Sequence, residues 1–350
     1  MSDSTDNIIV DTAARIFHDL CEPATINDAE KGVWPKVLWD ALAGSGLPLA
    51  WVPEELGGAG AAMADGFAVL RMAGRFAVPV PLAETLMAGW LLARARIEVP
   101  AGPMTIAPVH ADGHIRLAAD GRLAGRARRV PFASAAAHIA VLADRAGERV
   151  VALVAAKNLA IAENKSLAGE PRDTVLFDGV VPSTVKPVAL DQDLIQCFGA
   201  AVRSQQIAGA LEKILEQSVQ WALDRSQFGR PIAKFQAVQH NLAALAGEVA
   251  AAGAAADLAA EACAGPEPNA AEVAIAKVRA GEAAGTGAAI AHQVHGAMGF
   301  TYEHTLHHAT RRLWSWREEF GNETVWATRL GRMVASQGAD QLWPFVAQDK

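Results

Sequence analysis

The chain has 350 residues, 51% hydrophobic and 20% charged, enough for two or more domains around a substantial core and not the composition of a disordered chain. Lys and Arg total 31 against 38 Asp and Glu, a net charge of −7 with no basic tract suited to a nucleic-acid backbone, so no nucleic-acid partner is expected. Cys21, Cys197 and Cys263 are odd in number and far apart, which gives neither a disulfide framework nor metal-ligand spacing.

The N-terminus is acidic and polar, and no later stretch reaches about 18 apolar residues without Gly, Pro or charge. The expectation is a soluble cytoplasmic protein with no membrane partner.

Residues 9–95 read mostly as helices, with apolar positions such as Ile16 and Leu20, or Leu38 and Leu42, four apart. The run from Leu47 to Gly60, with prolines and glycines around an apolar patch, predicts a packed turn, and Val78-Pro79-Val80-Pro81 ends the helix carrying Phe67, Leu70 and Met72.

From about 103 to 188 short runs rich in Val, Ile and Leu predict strands at Met104–Val109, His138–Leu142, Arg149–Val154 and Thr174–Phe177. After Pro187 helices return, and Val238, Leu242, Leu245 and Val249 mark the buried stripe of one long helix. The plan is α+β: a helical domain over 1–100, a small β domain over 101–188 and a helical bundle over 189–350.

Two segments carry chemistry. Around Asp224–Gln239 a helix ends near Arg225, a Gly/Pro turn follows, and a new helix opens at about Ala233. Arg225 and Arg230 flank free backbone N–H groups there, which suits a pyrophosphate or equally a plain surface loop. The second segment is Gln293–His304, where Gly296 and Gly299 sit three apart at a helix end. They let a backbone approach a ligand, or simply form a helix C-cap.

Together these segments resemble the acyl-CoA dehydrogenase family. Its Arg-x-x-Phe-Gly-x-x-Ile-x-x-x-Gln-x-x-Gln pattern reads here as Arg225, Phe228, Gly229, Ile232, Gln236 and Gln239. Its later pattern reads as Gln293, Gly296, Gly299, Phe300 and Glu303, running on into Arg311-Arg312; Val52–Gly60 and Ala73-Gly74-Arg75 also look like the family's helical domain.

The resemblance implies an FAD protein with an N-terminal helical domain, a central β domain and a C-terminal four-helix domain, packed as a tetramer. It implies that Arg225, Gln227 and Phe228 touch the adenosine pyrophosphate of a flavin held mainly by a neighbouring subunit, and that Gln293, Gly296 and Gly299 line its other side. The implied reaction oxidises an acyl-CoA to the 2,3-enoyl-CoA: a carboxylate removes the proton beside the thioester carbonyl while hydride passes to the flavin. Electrons then leave to an electron-transfer flavoprotein or similar acceptor.

The chain departs from the family at the base. Most members carry a Glu before a Gly after the basic helix, and here Phe320 precedes Gly321, with Glu319 one residue earlier as the remaining candidate catalytic carboxylate. Some members keep the base on the helix before the arginine motif, but the matching position near Gly199 and Ala200 has none. The flavin- and substrate-contacting stretch is replaced near Ile106–Ala111, and the aromatic-Ile-Thr/Ser strand appears as Val130–Ser134.

These departures suggest the shorter subunit of a heterotetrameric acyl-CoA dehydrogenase of the kind that acts on steroid side-chain thioesters. The readings are therefore an active dehydrogenase, in a homo- or hetero-tetramer, or a non-catalytic subunit completing a partner's FAD site. A flavin oxidase or monooxygenase of the same fold is a third.

Other features read as structure. His292, His295, His304, His307 and His308 lack accompanying Cys and are expected as a partly solvated polar face, with no metal. Trp314, Trp316 and Trp326 are expected as packing, and Ser134 and Ser166 lack a Gly-x-Ser-x-Gly setting.

Overall fold

The computed structural model describes residues 5–110, 113–190, 192–265 and 267–347. Five helices come first: α1 (Thr5–Leu20), α2 (Pro23–Glu30), α3 (Lys36–Gly44), α4 (Met63–Arg75) and α5 (Leu82–Arg94). Eight strands follow: β1 (Met104–Ala107), β2 (Ile115–Leu117), β3 (Leu123–Pro131), β4 (His138–Arg145), β5 (Glu148–Ala155), β6 (Ala160–Ala162), β7 (Arg172–Val180) and β8 (Thr184–Pro187). The C-terminal region holds α6 (Gln192–Asp224), a hairpin of β9 (Ser226–Gln227) and β10 (Arg230–Pro231), α7 (Gln236–Ala262), α8 (Ala270–His295), α9 (Leu306–Glu318), α10 (Glu323–Gln337) and α11 (Leu342–Val346).

The strands form one mixed sheet in the order β6-β7-β3-β2-β4-β5-β8, with β1 parallel beside β4. Alternation along β4 and β5 sends Ala140, Leu142, Val151 and Leu153 into the core shared with the N-terminal helices. Ile139, Val141, Val150 and Ala152 turn the other way, toward Leu123, Val175 and Phe177. The sheet is thus buried on one side against the helical domain and on the other against its own strands.

Glycines set how closely the domains approach. A Cβ on Gly74 of α4 would lie 2.1 Å from the Gln206 carbonyl oxygen on α6, and one on Gly209 would lie 1.8 Å from that of Arg71. Only bare backbone permits this α4–α6 crossing.

The long helix expected around Val238 is α7, but its stripe is only half used. Leu245 and Val249 are buried, whereas Val238 and Leu242 are half-buried. This helix is long and apolar enough by composition to cross a membrane, with mean hydropathy 1.4; it packs between α6 and α8 as a bundle member. Its first turns, with exposed Phe228 on the preceding hairpin and exposed Val219 and Leu223 on α6, leave an apolar surface uncovered by this chain.

Candidate functional site

The two segments expected to meet the adenosine end of a cofactor lie largely on the surface. Arg225 follows α6, and its carbonyl accepts from Ile232 N at 2.8 Å, closing a loop around the β9–β10 hairpin. The hairpin turn is Phe228-Gly229, both at positive φ (52° and 78°), as a two-residue turn matching strand twist demands. Arg225, Gln227 and Phe228 are all exposed, Phe228 at 92%, and Arg230 stacks over Phe235 at 4.3 Å.

The second segment ends α8. Gln293 is exposed, and Gly296 caps the helix at φ 61° with open space where a Cβ would stand. Gly299 is buried, where a Cβ would meet His292 Nδ1 at 3.1 Å. Trp221, one turn before Arg225, stacks on His295 at 5.3 Å and meets His304 edge-on at 5.4 Å. That aromatic contact brings the ends of α6 and α8, and with them both motif segments, to one place.

The histidines correct an expectation. His292, His295, His307 and His308 are buried rather than partly solvated. His295 Nδ1 lies 2.8 Å from the Ala291 carbonyl, and His308 Nε2 lies 2.9 Å from Asn27 Oδ1. Burial pushes His295 down to about 4 and His308 to about 3, so both are neutral at ordinary pH. Among the described residues no three His, Cys, Asp or Glu side chains converge as a metal-ligand set. Trp316 and Trp326 are core residues.

The turn between α9 and α10 decides the fate of the base. Phe320 sits at φ 55° with its ring turned inward and only 4% exposed, while its carbonyl accepts Trp326 Nε1 at 2.8 Å. The ring lies on Gly199 of α6: a Cβ there would come within 2.3 Å of Phe320 Cδ1. Position 320 and the neighbourhood of Gly199 and Ala200, the two places where the resemblance puts the family's carboxylate, therefore meet in one contact, a phenyl ring against a glycine.

The same geometry surrounds Glu319, the candidate catalytic carboxylate, with partners. Its Oε1 accepts Arg172 Nε at 2.7 Å and its Oε2 accepts Arg203 Nε at 2.8 Å, with both arginines buried. Burial alone would raise its pKa, but the two guanidiniums overcome that and hold it down to about 2. A carboxylate so acidic and clamped is a poor acceptor for a carbon-bound proton.

The clamp continues in both directions. Arg203 Nη2 reaches Glu84 Oε1 at 2.6 Å; Arg172 Nη2 reaches Glu170 Oε2 at 2.9 Å; Glu170 Oε1 accepts Arg312 Nε at 2.9 Å. Glu30 takes Arg312 at 3.6 Å and Arg311 at 2.7 Å. Glu30, Glu84, Glu170 and Glu319 thus balance Arg172, Arg203, Arg311 and Arg312, and the row ties all three domains together. Lys277, fully buried beside it, donates to the Arg317 and Trp316 carbonyls at the end of α9 at 2.6 and 3.3 Å.

This arrangement bears on the cofactor. The exposed hairpin and the open Gly296 turn fit the adenosine end of FAD. At the flavin-ring end, the Arg172 guanidinium stands between Phe132–Ser134 and the Glu319–Phe320 turn, 5.7 Å from the Phe132 ring centre. Ser134 N donates to Asp173 Oδ2 at 2.8 Å. At the altered Ile106–Ala111 stretch, Gln192 and Gln196 hold the Pro108 and Val109 carbonyls, while Ala111 lies outside the described residues. A cleft of about 480 Å³ opens nearby between the α2–α3 turn and the sheet, lined by Trp34, Trp39, Asn164, Asp173 and, from the Val130–Ser134 stretch, Phe132 and Ser134; Arg225, Gln227, Phe228, Gln293, Gly296, Gly299 and Glu319 do not border it.

Comparison with known proteins agrees with the fold. The acyl-CoA dehydrogenase N-terminal domain matches residues 3–95 and the C-terminal domain residues 199–334. The chain is 30% identical over 302 residues to the acyl-CoA dehydrogenase IpdE2 of Mycobacterium tuberculosis, covering 85% of this chain and 87% of that protein. It is 28% identical to the acyl-CoA dehydrogenase FadE34 of the same organism, covering 88% of this chain but 44% of that protein. Among solved structures, the ChsE4-ChsE5 complex from Mycobacterium tuberculosis aligns with TM-score 0.85 and 24% identity, over 97% of this chain and 99% of that one. The Tcur3481-Tcur3483 steroid ACAD variant aligns with TM-score 0.86 and 23% identity, over 95% and 98%. The chain belongs to the acyl-CoA dehydrogenase family, as an FAD-dependent acyl-CoA dehydrogenase or a subunit of one.

Proposed function

We propose that this chain is the accessory subunit of a heteromeric acyl-CoA dehydrogenase: it presents adenosine-side contacts to a cofactor held mainly by a partner chain, which supplies the base. The observation that carries this reading is the Phe320–Gly199 contact, which fills both positions where the family keeps its carboxylate, beside a Glu319 already spent on two arginines. The exposed hairpin and uncovered start of α7 supply a surface for that partner.

The likeness to subunits of a two-chain complex and of a steroid ACAD supports a heteromer acting on a bulky thioester such as a steroid side-chain acyl-CoA. That FadE34 extends well beyond the matched region is consistent with a chain of this kind working beside a second one. Electrons would leave through the partner to an electron-transfer flavoprotein or similar acceptor. The three buried, unpaired cysteines fit a reducing cytoplasm.

The test is the visible spectrum and mass of the chain purified alone, then co-expressed with an acyl-CoA dehydrogenase chain that retains its Glu. A colourless lone chain that joins a yellow, acyl-CoA-bleached complex supports the reading. A flavin-replete, active homo-oligomer of the lone chain overturns it.

A further inference from the structure

The net charge of −7 hides a local reversal on the outer face of β2 and β3. Arg116, Arg126, Arg128 and Arg129 are all exposed there, and none of their side chains has an ion-pair or hydrogen-bond partner among the described residues, although Asp144, the register partner of Arg116 on β4, and Asp178, diagonal to Arg126 on β7, share the face. The arginines of the domain junction, by contrast, are neutralised in pairs.

Register places the four side by side. Ala124 faces Arg116 on β2 and Asp178 on β7, and two residues along, Arg126 faces Leu176. Arg116 and Arg126 are therefore diagonal neighbours on adjacent strands, about 7–8 Å apart. A register shift between Ala127 and Val130 then turns both Arg128 and Arg129 outward, where strict alternation would send one of them inside, and Arg129 takes φ 55° to do so. A non-glycine residue in that conformation and like charges on one face both cost stability.

We infer that this face docks an acidic surface of a partner protein. Arg126 lies beside Leu176, which is 44% exposed, and beyond it Ala160, so guanidiniums neighbour apolar area on the strand surface, the composition of a protein interface. The negative charge of the rest of the chain confines attraction for anions to this one face and favours a partner whose carboxylates cover it. The inference is independent of the accessory-subunit reading, because it uses neither the Phe320 turn nor the β9–β10 hairpin.

The experiment titrates the full chain with poly-L-glutamate, phosphatidylglycerol vesicles and duplex DNA at low and physiological salt. The R116Q/R126Q/R128Q/R129Q variant and its all-Lys counterpart are run alongside. Expected is salt-sensitive binding of poly-L-glutamate that weakens at least about tenfold in the Gln variant and persists in the Lys variant, with melting temperatures no lower than that of the natural chain. No binding by the natural chain, equal binding by the Gln variant, or retention on vesicles or DNA without poly-L-glutamate overturns it.

Discussion

Glu319→Gln separates a structural carboxylate from a catalytic one. Its carboxyl is held from 4.5 down to about 2 by Arg172 and Arg203, so the folded state favours the ionised form by about 3 kcal/mol. Breaking a buried pair from one side costs a similar amount, about 3–5 kcal/mol, because two buried guanidiniums lose their shared partner. In a protein of this size that lowers the melting temperature on the order of 10 °C.

The sign with pH follows. A depressed carboxyl contributes fully above 4.5 and progressively less as pH falls toward 2, so natural chain and variant converge in melting temperature over that window. The assay is thermal melting from pH 7 to pH 3, paired with turnover of the complex at a temperature where both are folded. A variant that melts like the natural chain yet loses turnover by about 10²-fold or more would refute the reasoning and return Glu319 to the role of base.

Three further outcomes are expected. Gly199→Ala forces the Phe320 ring aside and costs about 1–3 kcal/mol, much of it recovered in the Gly199→Ala/Phe320→Ala double variant, as a double-mutant cycle of melting curves will show. Lys277 is pushed by burial from 10.5 down to about 7, so unfolding takes up a proton between those values. The natural chain should therefore gain stability relative to Lys277→Met as pH rises from 7 to 9. Arg225→Ala and Phe228→Ala remove exposed side chains, so melting of the lone chain should move by less than about 0.5 kcal/mol in stability while flavin retained by the co-expressed complex falls.

Local pattern made the turn after Arg225 legible, because its Gly and Pro are written in neighbouring residues, but not the β9–β10 pairing that forms it. The helix over Val238–Val249 was equally visible, but periodicity reports an apolar face and not what covers it, so the half-buried Val238 and Leu242 were expected in the core. Strand β3 was missed because Leu123-Ala124-Gly125-Arg126-Ala127-Arg128-Arg129 is polar and broken by a bulge; its inward Leu123, Ala127 and Val130 show only once paired with β7. The buried histidines were misjudged for a related reason: their cover comes from Trp221, Phe300 and Trp314, brought together by three helices and a turn.

The fate of Glu319 could not be read at all. Its partners stand 147 and 116 residues away, and an Arg in β7 and another in α6 look like ordinary surface charges until the domains close on one another. The Phe320 departure was visible as a missing carboxylate, but not the glycine that receives the ring. Only the fold shows that the two candidate positions for a base are one place.

Whether this chain carries a base of its own is read out by α-proton exchange. The lone chain, supplied with FAD, is incubated with a saturated acyl-CoA in D2O, and deuterium at the carbon beside the thioester is followed by mass spectrometry. The account predicts no incorporation above buffer, and incorporation only when a partner chain with its own Glu is added. Incorporation by the lone chain that disappears in Glu319→Gln would contradict it.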